Sequence, residues 1–307
     1  MKEGFLIGGD LILAGLILEL SVGPVAWEVF AWPVNGMVLA GFLVIIAVVF
    51  LLRKRIYACR FIGTYQAAIP VLVYAVVLTI VMGLTCQRLR VGASAGMETR
   101  GAWWHNMLTF WPFVLIYVYM ALILGLVICR RLSQMVHRKW PDLIRRDIPF
   151  LLNHLGLFLA MTTATLGNAD MQRLKMITVV GEPEWRALTP EGTVREMPLA
   201  IELKRFIMET YDDGSPKRFA SEIQILTKTR KNILTTVDVN KPVEVDGWKI
   251  YQYGYDTQMG AMSQTSILEL VSDPWLPLVY TGIYMMLGGA VCLFVFGKGV
   301  KGKLKGS

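Results

Sequence analysis

The sequence predicts an integral membrane α-helical protein of about six transmembrane helices, with an extracytoplasmic all-β domain between the last two. Three observations carry that expectation. Apolar residues fill 54% of the 307 positions and are pooled into long runs. Charged residues make up only 18%, against about a quarter in an ordinary soluble domain. From about Gly167 to Asp273 the runs stop and polar and apolar residues alternate. A disordered chain is excluded, and a wholly soluble enzyme fits poorly.

Crossing a bilayer core takes roughly 20 mostly apolar residues in a helix. Six segments meet or approach this: Phe5 to Trp27, Asn35 to Leu52, Ala67 to Thr85, Met107 to Ile128, Ile148 to Leu166, and Trp275 to Phe296. Asp10 and Glu19 interrupt the first, which is too long and too acidic for a cleaved signal peptide and reads as a true span.

Short basic loops stay on the cytoplasmic side. Arg53, Lys54, Arg55 and Arg60 follow the second span, and Arg130, Arg131, Arg138, Lys139, Arg145 and Arg146 follow the fourth. Lys298, Lys301, Lys303 and Lys305 follow the sixth, and Lys2 precedes the first. The opposite short loops carry only Arg88, Arg90 and Arg100. Both termini are therefore expected in the cytoplasm, and the net charge of +8 is topology rather than nucleic-acid affinity. This divides the chain into a membrane domain of five helices (1–166), an extracytoplasmic β-rich domain (167–273), and a final helix with a basic cytoplasmic tail (274–307).

Within the outer segment, the stretches beginning at Glu222, Asn232 and Trp248 alternate with period 2 and predict strands. Asp246-Gly247 predicts a hairpin turn, and Asp212-Asp213-Gly214-Ser215-Pro216 a turn or loop. Some 100 residues of short strands fit a small β-sandwich or barrel. The segment has no cysteine, so its core must hold it together without disulfides.

Little in the chain resembles a reactive site. Cys59, Cys86, Cys129 and Cys292 are scattered and form neither C-x-x-C nor C-x-x-C-H, and the histidines are His105, His137 and His154. His154 lies eight positions beyond Arg146, about 12 Å along a helix from the charged inner edge. An imidazole at that depth is a candidate axial ligand for haem iron. It is equally a candidate for an ordinary hydrogen bond across helices, and the residue alone leaves both readings open. His137 falls in a basic loop. Trp103-Trp104-His105 invites a reading as an outer haem platform, but tryptophan at a membrane boundary is more often an aromatic belt, which Trp111 extends. Asp10 and Glu19, nine positions apart, fall on opposite sides of one helix and do not make a single proton path.

The order Ile148-Pro-Phe-Leu-Leu-Asn-His154-Leu-Gly, Gly167 and a large outer segment resembles the ResB (CcsB) family of cytochrome c maturation proteins. Pro216-Lys-Arg-Phe-Ala-Ser-Glu-Ile is similar to a strand of that family's domain. So are Val239-Asn-Lys-Pro-Val followed by Gly247-Trp-Lys-Ile-Tyr-Gln-Tyr-Gly-Tyr-Asp, and Asp273-Pro274 leading to Gly282 and Gly288-Gly289. The resemblance covers about Ile148 to Phe296. It implies a non-autonomous subunit of a system II cytochrome c synthetase in the bacterial cytoplasmic (inner) membrane, with the β domain on the periplasmic side. Haem b would be bound transiently and shared with a ResC/CcsA-like membrane protein, for attachment to apocytochrome c. A separate thioredoxin-like protein would reduce the apocytochrome. The family's transmembrane haem-ligand histidine falls on His154, with His105 and Trp104 as lesser candidates. The family is usually described with four spans, so six is a departure, and the partner's tryptophan-rich WWD segment is absent. The alternative from another class is a non-haem membrane scaffold presenting a β-type binding domain; a transporter using Asp10 or Glu19 is a third.

Overall fold

The computed structural model describes residues 1–85, 106–136, 143–190, 192–213 and 215–296. They form two compact units: helices through Asp170 and again from Trp275, and strands over 171–274. Six of the helices are long and apolar enough to cross a membrane, and the chain is a multi-pass membrane protein.

The helices are α1 (Lys2–Val22), α2 (Val34–Leu52), a short α3 (Tyr57–Ile62), α4 (Tyr65–Leu84), α5 (Trp111–Met135), α6 (Ile148–Gly167) and α7 (Leu276–Phe296). Two spans differ in their bounds from those expected. The first helix stops at Val22 rather than near Trp27, because Gly23 adopts φ +82° and returns its N–H to the Glu19 carbonyl ahead of Pro24. The fourth span begins at Trp111, where Pro112 suits a first turn. It then continues to Met135, so that Arg130 and Arg131 lie within the helix rather than in the loop after it.

Lipid tails are as apolar as leucine, so helices in a bilayer associate through close packing rather than through exclusion of water. In α1, Gly4 and Gly8 let the backbone meet the Gln66 carbonyl and the Tyr74 ring of α4. The tightest pair is α6 with α7. A Cβ added to Gly156 would stand 2.5 Å from the Gly282 carbonyl oxygen, and one added to Gly282 would stand 2.6 Å from that of Gly156. Gly289 abuts Asn153 and Gly167 abuts Trp275 along the same seam.

The strands are β1 (Gln172–Val179), β2 (Pro183–Leu188), β3 (Val194–Thr210), β4 (Pro216–Thr227), β5 (Asn232–Asp238), β6 (Val243–Val245), β7 (Trp248–Tyr255) and β8 (Thr265–Ser272). They form one antiparallel sheet in the order β5-β4-β3-β2-β1-β8-β7-β6. The first and last strands are neighbours, with Gln172 opposite Ser272. The expected sandwich or barrel is thus a single sheet curled around one core, in which Met176, Ile201, Ile223, Val237, Ile250 and Leu268 are fully buried. Bulges at Leu203/Arg205 and Gln252/Gly254 sharpen the curl.

Curling brings β4 across to β7 and β8. Inside, the Ser221 hydroxyl donates to Ser266 Oγ at 2.7 Å, and Gln252 Nε2 donates to the same oxygen at 2.9 Å. Buried polar groups demand partners; Gln252 reaches Ser266 from the neighbouring strand, and Ser221 reaches it from a strand distant in the sheet order. The Asp246-Gly247 turn is the tight hairpin expected: both residues have positive φ and Val245 pairs with Trp248. In the β3–β4 turn, Asp213 accepts hydrogen bonds from the Ser215 amide and hydroxyl.

Gly282→Val is expected to force α6 and α7 apart and to destabilise the protein by about 3 kcal/mol. Gly288→Val, at a glycine with open space beside it, should be nearly silent. Thermal unfolding of the purified chain in detergent checks the contrast, and equal effects would contradict the packing argument.

Candidate functional site

His154 is the seventh residue of α6, roughly 9 Å along the helix from Ile148. Its neighbour Asn153 packs on Gly289 of α7. One residue further turns the side chain about 100°, so the half-buried imidazole points away from the α6–α7 seam, on the flank between the Phe158 face and the exposed Leu157. Nδ1 lies 2.8 Å from the Phe150 carbonyl oxygen, and the ring stacks on the Phe150 ring with centroids 3.8 Å apart. A carbonyl oxygen only accepts, so the contact needs the proton on Nδ1, and in the tautomer that supplies it Nε2 keeps its lone pair. Metal-ligating histidines are commonly oriented by this kind of Nδ1–H bond to a carbonyl.

The stack continues into α5. The Arg131 guanidinium lies 4.5 Å from the Phe150 ring centroid, and its Nε is 2.7 Å from Oδ1 of the fully buried Asp147. Asp147 closes a π-helical turn, Leu143–Asp147, that runs directly into α6. A cation, a benzene ring and an imidazole are thereby ordered in series.

The opposite end of α6 closes on Asp170. Its Oδ1 accepts the Trp32 backbone N–H at 2.7 Å, and its Oδ2 accepts Asn35 Nδ2 at 2.7 Å and Trp275 Nε1 at 2.6 Å. Asn35 is fully buried and also donates to the Leu166 carbonyl at 3.2 Å. Burial pushes the Asp170 carboxyl up, but the three donors outweigh it and hold its pKa below the ordinary carboxylate value.

The residues singled out from the sequence do not gather in one place. His105 and Trp104 lie outside the described residues, as does His137. Glu19 caps α5 by accepting the Trp111 N–H at 3.2 Å, whereas Asp10 lies exposed on α1. Among the described residues no group of three or more His, Cys, Asp or Glu is placed to hold a metal ion. His154 therefore offers a single ligand. An apolar cavity of about 490 Å³ near the start of α5, lined by Trp27, Phe42, Trp111 and Tyr117 among others, has no histidine or cysteine in its wall.

Comparison with known proteins fits this layout. Residues 146–267 match the ResB-like family. This stretch belongs to the ResB/CcsB family. Over 119 residues the chain is 29% identical to a protein of Prochlorococcus marinus subsp. pastoris described as cytochrome c biogenesis protein CcsB. That alignment takes in 38% of this chain, which spans about a quarter (27%) of the length of the curated relative it matches. A solved structure described as cytochrome c heme lyase CcmF superposes with a TM-score of 0.38 at 14% identity. It covers 85% of this chain and 45% of that one, and at that score it carries no argument.

The ResB-like stretch contains His154, Phe150, Asp147 and Asp170, whereas α1–α5, with Asn35 and Arg131, precede it. The Asp170 cluster and the Arg131–Asp147 pair are absent from the sequence reading. The signal for the first is a buried-type amide opening an apolar run (Asn35) and an acid just past the end of another (Asp170).

Asp170→Ala should destabilise the helical unit by about 2–4 kcal/mol, since it removes a charged acceptor from three donors, the buried Asn35 amide among them. The carboxylate's contribution is full above the ordinary Asp pKa of about 3.9. It is lost as the pH falls through the lower folded-state value. Thermal unfolding below pH 4 should therefore show a steeper loss for the native protein than for the variant; parallel pH profiles would contradict this role.

Proposed function

We propose that this chain is a haem-handling subunit of a cytochrome c maturation complex, in which His154 Nε2 ligates the iron of haem b as cargo. The observation that carries the proposal is the Nδ1 bond to the Phe150 carbonyl, which leaves the lone pair on the nitrogen turned away from the α6–α7 seam. The residues fit one axial position. A ResC/CcsA-like membrane protein supplies the other ligand and, with this chain, encloses the porphyrin. The β domain then lies on the periplasmic side of a bacterial cytoplasmic membrane, with both termini inside, and holds apocytochrome c or the partner's outer loops near the haem. A thioredoxin-like protein keeps the apocytochrome thiols reduced.

What this chain contributes is position. The Phe150 stack and the Nδ1–H bond fix the ring's tilt, and Arg131 and Asp147 fix Phe150 from behind. Bringing a held haem and reduced thiols together supplies rate through proximity rather than through an acid–base pair. A second reading, a non-haem scaffold with a structural histidine, draws on the same contact: the imidazole's bond lies wholly within its own helix.

The complex of this chain with its partner is expected to purify with bound haem, visible by absorption. His154→Ala should lose at least tenfold of that signal with the complex intact, and His154→Gly should regain it on addition of imidazole. An unchanged spectrum in His154→Ala would favour the scaffold.

A further inference from the structure

We propose a second binding site, at the end of the helical unit where α2 and α5 finish and α4 begins: a basic cavity that takes the phosphate headgroup of an anionic membrane lipid. The cavity holds about 560 Å³ and is lined by Arg53, Lys54, Arg60 and Arg130, with Thr64 and Ser133 between them. Among the described residues, no Asp or Glu belongs to its lining. Four cationic residues thus border one space with no described counter-charge in its wall.

Arg53 is the telling residue. Its guanidinium lies 3.6 Å from the centroid of the Phe50 ring, and its Nη1 is buried with no hydrogen-bond partner. A buried guanidinium donor without an acceptor is costly. An anion in the cavity supplies the acceptor. Arg53 stands at the C-cap of α2, where the helix dipole favours a cation. The dipole does not explain a cavity lined by four cationic residues, or a buried donor that nothing satisfies.

A phosphate is the chemistry that fits, since it accepts from several forked donors at once. The source is a lipid rather than the free ion. The cavity opens at the level of the helix ends, the depth at which headgroups lie, and Phe50 and Leu126 add an apolar wall to its basic rim. Basic pockets between transmembrane helices are a recurrent seat for anionic headgroups. α2–α5 precede the ResB-like stretch, so the site is independent of the haem reading.

The test uses the full chain in a neutral detergent, supplied with equal phosphatidylglycerol and phosphatidylcholine and read by native mass spectrometry. Phosphatidylglycerol should be retained at least tenfold over phosphatidylcholine. The triple variant Arg53→Gln, Arg60→Gln, Arg130→Gln should lose that preference, while Arg55→Gln, a cation at the same end that does not line the cavity, should keep it. Should the triple variant fail to fold, Arg60→Gln alone, at an exposed position, should lower retention at least threefold. Undiminished retention in the cavity variants would overturn the proposal, as would an Arg55→Gln loss equal to that of Arg60→Gln. Displacement of the lipid by millimolar inorganic phosphate, with equal protection by phosphate alone, would assign the site to a free anion and overturn the lipid.

Discussion

The backbone contact between Gly156 and Gly282 sets the geometry on which the helical unit's candidate site depends. With no side chain on either residue, α6 and α7 touch main chain to main chain, and the rotation of α6 about its own axis is fixed. Once Asn153 is committed to the seam, His154 is committed to the flank and Phe158 to the core beside α2 and α5. Position along the helix is then set by the charge-bearing ends: Asp147 against Arg131 at one, Asp170 against Trp275 and Asn35 at the other.

Charge in this unit follows one economy of placement. Glu19 caps the first turn of α5, and Asp147 meets both Arg131 and the start of α6. Asp170 lies just beyond the last residue of α6. Each of these three carboxylates meets donors or a cation, as a low-dielectric setting demands. The cations around the α2–α5 cavity break the pattern, and that departure is what makes the cavity worth attention as a site.

Much of the architecture could be read in advance because bilayer spans and strands impose strong periods. Ile148 to Leu166 falls one residue short of α6, and the Trp248 stretch coincides with β7. The stretch starting at Pro216 and the one containing Gln252 were legible as family-like, but not as two ends of one internal contact through Ser266. Nothing local in either segment encodes that meeting, which exists only after the sheet curls. Likewise Asp170 has no periodicity to betray it: its partners are 138, 135 and 105 positions away. His154 was legible as an unusual residue. Its tautomer was not, because the Phe150 carbonyl becomes a partner only once the side-chain rotamer is known.

The pairing of β1 with β8 has a consequence for biosynthesis. Gln172 leaves the ribosome about 100 positions ahead of the residue it faces, Ser272. Until that last strand arrives, one edge of β1 is an unpaired template beside an incomplete core. Sheet closure is thereby the final event of the unit's assembly, late and of high contact order. A nascent chain halted short of Thr265 would expose an adhesive strand to its neighbours, so translation past that residue is the moment at which the nascent unit ceases to be an aggregation hazard.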